Sequence, residues 1–307
     1  MNDSLKTGLV VFSLIFAAGL TPIAIRYTQA EGVPSLVIVL MRLWLVTLIL
    51  FPIIWTRYRK ELFSLTRRQI IFVAIAGFWS AMNLLMLFLS LEYTSVLISS
   101  VLRRTTPIWT ILPEIIVLGA VFTRRTWLSI GLTLIGVLLI AIGGTGVIEV
   151  GSQPLLGGGL AGFGAICFGI YLLIGRQLSN AIPGLLYSWL VFFSAAIVIT
   201  IIILITGTPV LGYSTMGYIW VLVVTFIAQF VGQISIIFGL QRFSATAIAI
   251  IVQVGVVMSA IIAAFAFSEI PSLWQIIGSL MVIIGVILAT IEQNQRKPKT
   301  ATANSNH

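Results

Sequence analysis

LISSVLRRTTPIWTILPEIIVLG, residues 97–119, is apolar enough at both ends to enter lipid, yet it carries two arginines, a glutamate and two prolines. On a helix, Arg103, Thr106, Thr110 and Glu114 follow one another at spacings of three and four residues and share one face, while Leu102, Ile108, Leu112 and Ile116 cover much of the rest. Hydrocarbon cannot satisfy a guanidinium, so the polar face must look at protein or water. Arg103 and Glu114 are eleven residues apart, roughly 16 Å along the axis. They are not each other's salt bridge, and each needs another partner. A helix starting near Thr105 would instead leave both arginines in an outer loop. The apolar SVLISSVL before them and the smooth continuation of SATAIAIIVQV in the second half of the chain argue against that.

The rest of the chain has the same character. Of 307 residues, 59% are hydrophobic and 8% charged, and the mean hydropathy is +1.15, far from the roughly 25% charged content of soluble domains. Ten apolar runs long enough to cross ~30 Å of hydrocarbon fall near residues 8–27, 35–55, 70–90, 96–118, 127–146, 157–175, 185–205, 216–238, 244–267 and 273–291. The expected fold is an all-α polytopic membrane protein in the lipid bilayer, with any functional site among the helices. The opening MNDSLKTGLVVFSLIFAAGL has no small-residue cleavage pattern and reads as the first span. Residues 295–307 read as a disordered cytoplasmic tail.

A net charge of +9 could suggest nucleic acid, but thirteen of the 17 Lys and Arg lie in the even-numbered connections and at the two ends. The odd-numbered connections carry Glu31, Glu92, Glu149 and Glu269 instead. Positive-inside asymmetry therefore explains the charge and puts both termini in the cytoplasm. Cys167 is the only cysteine and His307 the only histidine, so neither a disulfide nor a Cys/His metal site is expected. No phosphate-binding loop and no nucleophile-base constellation is visible, and no cofactor is implied; an enzyme is the least expected reading.

Shifting the chain by 149 positions aligns Pro34 with Pro183, Leu91 with Leu240, Ser95 with Ser244, Gly136-Val137 with Gly285-Val286, and Arg104 with Gln253. Residues 1–147 and 148–294 are thus expected to be two five-helix repeats. An odd number of crossings per copy inverts the second in the bilayer, an arrangement of transporters whose sites lie near the midplane.

The buried charges sharpen this. Arg42, Arg103, Arg104 and Glu114 fall inside spans, where charge is costly and by default functional. Arg26, nearer an end, can snorkel to the interface. With Glu114 the only acidic residue within a span, arginine is in surplus, and guanidinium forks match carboxylate or phosphate oxygens bidentately. Thr225, Gln229 and Gln233 recur every fourth residue, and Trp79, Ser80 and Asn83 adjoin on one helix. Either they bond across helices or they line a polar cavity, with Trp79, Trp109 and Tyr171 as aromatic walls. Gly157, Ala161, Ala165 and Gly169 form a small-residue ridge suited to close helix approach.

SLEYTSVLISSVLRRTTPIW, residues 90–109, and FSEIPSLWQIIGSLMVIIGV, residues 267–286, with Arg42 in LMRLWL, resemble EamA-type members of the drug/metabolite transporter superfamily over about residues 8–291. Glu269, Gly278 and Gly285 match a family pattern at the start of a repeat's last helix. Ala120, Ser129 and Val256 depart from the usual Glu, Gly and Pro. The resemblance implies export of small metabolites by alternating access, with spans five and ten peripheral and protons as a coupling ion. Arg42, Arg103 and Arg104 would then anchor an anionic group of an amino-acid-like or other anionic or zwitterionic substrate, and Trp79, Asn83, Gln229, Gln233 and Gln253 would orient the remainder. Glu114, outside the family pattern, would be the coupling carboxyl. Obligate exchange of sugar phosphates or nucleotide sugars is the close alternative, a non-transporting scaffold or receptor the distant one; homo-oligomerisation is open.

Overall fold

The structure, a computed structural model, describes residues 3–93, 102–118, 121–143, 153–178, 181–255, 257–258, 261–262 and 272–296. Every regular element among them is helical. In chain order these are α1 (Asp3–Ala30), α2 (Ser35–Arg57), a short amphipathic turn α3 (Arg59–Phe63), α4 (Arg67–Tyr93), α5 (Thr106–Leu118), α6 (Arg124–Gly143), α7 (Pro154–Leu178) and α8 (Gly184–Thr206). Then follow α9 (Thr215–Val224), a π-helical segment Thr225–Gln233, α10 (Ile234–Leu240), α11 (Ala245–Ile251) and α12 (Leu273–Arg296). Among the described residues, six stretches are long and apolar enough to span a bilayer: Thr7–Ala30, Ser35–Arg57, Arg67–Leu87, Leu155–Leu178, Gly184–Thr206 and Thr215–Leu240. Apolar side chains also cover the outside; Ile116, Leu204 and Ile205 are 80%, 77% and 80% exposed, which suits lipid and not water.

Helix ends follow local chemistry. Pro34 and its counterpart Pro183, both extended, start α2 and α8, where a missing N–H costs nothing. Gly207, at φ 65°, closes α8. Ser214 and Ser244 cap α9 and α11 by accepting the N–H of the third residue on, at 2.9 and 3.1 Å.

The repeat is visible in the packing. Ser129 Oγ donates to the Gly285 carbonyl at 2.7 Å, and a Cβ on Gly136 would lie 2.6 Å from the Gly278 carbonyl. Adding 149 to 129 gives 278, and adding it to 136 gives 285, so the repeat operation exchanges these two contacts. Such an exchange requires a two-fold relation, and the reversed order along α12 shows that α6 and α12 run antiparallel. The small-residue ridge is buried as expected, with Ala161 and Ala165 in the core and Gly169 against Thr110.

Four expectations change. The smooth helix expected through SATAIAIIVQV breaks after Ile251, where Val252 and Gln253 form a turn. Leu102 and Arg103 are helical, but Arg104 and Thr105 form a turn before α5, so the expected continuous helix over 96–118 is interrupted. α7 runs on to Leu178 and takes Arg176 out of the connection in which the sequence placed it. α12 continues through Gln295 and Arg296, the first residues of the expected tail. Residues 297–307, with Glu149, Glu269, Ala120 and Val256, lie outside the described residues, as do the side chains of Arg26 and Glu92.

Candidate functional site

Two helix interruptions meet. Pro107 cannot donate to the carbonyl four residues back, and its ring crowds it; the Arg103 carbonyl accepts from Thr106 Oγ1 at 2.9 Å instead. In the second half, Val252 and Gln253 leave the helical path after α11. Across this gap Arg104 Nη1 donates to Gln253 Oε1, and Gln253 Nε2 donates to the Arg104 carbonyl, both at 3.1 Å. The partners are repeat counterparts, since 104 plus 149 is 253. Because each partner is the other's counterpart, this reciprocal pair marks where the halves meet. Broken helices with freed backbone groups are tolerated at membrane depth only where protein or a water-lined path satisfies them.

Around the pair lies a chain of positive charge. Arg103 Nη2 reaches Asn83 Oδ1 on α4 at 3.4 Å, a long bond. The Arg103 guanidinium is close enough to repel both Arg104 and Arg42. Arg42, on α2, is 4% exposed, and its Nε has no hydrogen-bond partner. Among the described residues no carboxylate is paired with any of these three guanidinia. An unpaired buried guanidinium atom is costly enough to call for an explanation.

The glutamines sit in an element the sequence did not foretell. Within the π segment the Ile234 N–H bonds back five residues to the Gln229 carbonyl, the wide turn that often marks functional sites in helices. Gln229 is buried and its Oε1 has no partner. It flanks Ala228, which packs with Val37 and Ile38 of α2, the helix that carries Arg42. Gln233 Oε1 accepts from Tyr171 OH at 3.2 Å, and the buried Tyr187 hydroxyl beside Tyr171 has no partner.

Of the residues singled out from the sequence, Arg42, Asn83, Arg103, Arg104 and Gln253 thus form one connected set. Gln233 joins Tyr171. Trp79 meets the rings of Phe78 and Phe163, its centroid 6.3 Å from the latter, along the seam of α4 with α7. Trp109 is partly exposed and donates to Thr105 Oγ1 one turn back.

Glu114 stands apart, at the opposite end of α5. Its Oε1 accepts the Ala245 N–H at 2.7 Å, and its Oε2 accepts the Thr246 hydroxyl at 2.6 Å and the Thr246 N–H at 3.3 Å. A carboxylate from the first half therefore caps the N-terminus of a helix in the second, where the helix dipole favours negative charge. Arg176 is near enough to attract it and also donates to the Leu240 carbonyl. This second constellation was not foreseen. Ser244 signals a helix start, but nothing in the sequence says that the next two N–H groups find their acceptor on residue 114.

Comparison with known proteins assigns the scaffold. The EamA-like transporter family matches residues 5–142 and again residues 155–291. The chain belongs to that family. This EamA-like transporter is 25% identical over 248 residues to an uncharacterized transporter of Clostridium kluyveri, covering 78% of each chain. It is also 25% identical over 207 residues to the uncharacterized transporter YyaM of Bacillus subtilis, covering 66% of this chain and 67% of that one. A protein of known crystal structure superposes with a TM-score of 0.78 at 15% identity, over 95% of this chain and 99% of its own, which shows a shared fold. The EamA-like transporter is accordingly a multi-pass, helical membrane protein built from two repeats, and its relatives are transporters, not enzymes.

Proposed function

We propose that this protein is a secondary active transporter of the cell membrane that exports small metabolites bearing an anionic or zwitterionic group. In this reading ten spans form two inverted five-helix repeats with both termini cytoplasmic, and the halves rock about the Arg104–Gln253 pair. The observation that carries the reading is the set Arg42, Arg103 and Arg104, with no described carboxylate paired to it, where the two interrupted helices meet. A purely structural bundle gains nothing from a guanidinium, Arg103, that repels both Arg42 and Arg104, whereas an anion passing between the halves neutralises them. Glu114 fits a coupling role through closure: its carboxylate ties α5 to α11 at one end of the bundle, and a proton delivered there removes an acceptor and loosens the tie.

The test is flux in proteoliposomes. A metabolite mixture loaded inside, with a proton gradient imposed, yields a released species whose flux is lost in Arg103→Gln. A protein that moves no solute, and in which Arg103→Gln disturbs only assembly, is the scaffold instead. Flux that appears only with substrate on both sides favours the obligate exchanger, which the arginine surplus also suits.

A further inference from the structure

We infer that the transported solute is a dianion without an ammonium group, such as a hydroxydicarboxylate or a phosphate monoester, and not a zwitterionic amino acid. This rests on the proposed site and narrows its ligand by charge balance. Arg42, Arg103 and Arg104 each repel a neighbour in the set, and guanidinia do not give up their charge in proteins. Their described polar neighbours, Asn83 and Gln253, are neutral amides. Glu114, the one buried carboxylate among the described side chains, already serves three donors and faces Arg176.

An ammonium entering this set would meet positive charge and, among the described residues, no carboxylate. One negative charge would leave two guanidinia uncompensated, and two would leave one. Gln229, on the π segment packed against the helix that carries Arg42, has a buried Oε1 that lacks a donor. A hydroxyl supplies that donor without adding positive charge. Guanidinium forks bind carboxylate and phosphate oxygens alike, so both chemistries are admitted and the probes must separate them.

The experiment measures thermal stabilisation and dissociation constants of the purified full chain in detergent with L-malate, L-aspartate, L-asparagine and glycerol 3-phosphate. Malate and aspartate share a skeleton and both carboxylates, and differ in hydroxyl against ammonium. Malate or glycerol 3-phosphate is expected to bind, and whichever is tighter identifies carboxylate or phosphate. Aspartate should bind about tenfold or more weakly than malate, and asparagine should not bind measurably.

Arg104→Gln should abolish malate or glycerol 3-phosphate binding. Gln253→Glu, which places a counter-charge beside Arg104 and keeps an acceptor for its guanidinium, should do the same. Aspartate or asparagine binding as tightly as malate, and lost in both variants, overturns the charge assignment while leaving the site intact. Binding of any probe that survives both variants overturns the site, and with it this inference. Binding of neither dianion overturns the inference.

Discussion

Removing the Glu114 carboxylate tests the tie between the two halves. In Glu114→Ala the N–H groups of Ala245 and Thr246 lose a buried acceptor, and the Thr246 hydroxyl loses its partner at 2.6 Å. The hydroxyl can turn back toward its own helix, but the two N–H groups are held by the first turn of α11. At about 1–3 kcal/mol for each buried donor left stranded, the loss is about 3–5 kcal/mol, in the range seen when one partner of a buried charged interaction is removed. Glu114→Gln keeps Oε1 for Ala245 but replaces Oε2 with an NH2 group, and should cost about 1.5–3 kcal/mol. Thr246→Val removes only the hydroxyl, for about 1 kcal/mol, and should couple to Glu114→Gln in a double-mutant cycle. Denaturation of the purified protein in mixed micelles, followed by tryptophan fluorescence, gives these differences. A Glu114→Ala protein within about 0.5 kcal/mol of the parent would refute the cap and the coupling role built on it.

Other consequences are simpler to check. Gly136→Ala should destabilise by about 1–3 kcal/mol, because the added methyl would meet the Gly278 carbonyl of α12. Gly131→Ala, one turn earlier on α6 with nothing within 4 Å, should be neutral or stabilising by up to about 1 kcal/mol; equal effects in the same denaturation assay would contradict the antiparallel contact. Gln253→Glu should pair with Arg104 but lose the donor to the Arg104 carbonyl, so the melting temperature of the ligand-free protein should change little while flux in proteoliposomes stops. Cys167, fully buried, should resist thiol reagents until the protein unfolds, so its modification on heating should track the fluorescence transition.

Much of the scaffold was legible because lipid imposes simple rules. The helical, apolar character of the chain, the counterpart prolines 34 and 183 that start helices, and the offset of 149 that links Gly136 with Gly285 are readable from hydropathy and spacing. The polar stripe was also readable: Thr106, Thr110 and Glu114 are all buried in protein, while Ile116 on the opposite face is open to lipid. What the stripe touches was not readable. Glu114 looked like a lone membrane carboxyl, and only the tertiary approach of α11 makes it a cap. The turn at Arg104 and Thr105 was hidden because the flanking residues suit a helix, although Pro107 was a warning. The π segment was hidden too, since Thr225, Gln229 and Gln233 keep a spacing that an ordinary helix also tolerates. Trp79, expected as an aromatic wall beside Asn83, packs its ring against Phe163 in the α4–α7 seam.

The central claim is that the arginine set borders a path opened in turn to each side of the membrane. Thr105→Cys in a Cys167→Ser background places one thiol beside Arg104 in the turn, with Leu211→Cys, 77% exposed in a loop, as the control for an open surface. The measurement is labelling by a membrane-impermeant thiol reagent applied to one face at a time of sealed vesicles of known orientation. The account predicts that position 105 reacts from each face, more slowly than position 211 does from its own, and that solute on the opposite face changes the rate. Labelling of position 105 from a single face, at the rate of position 211 and unchanged by any solute, would contradict it.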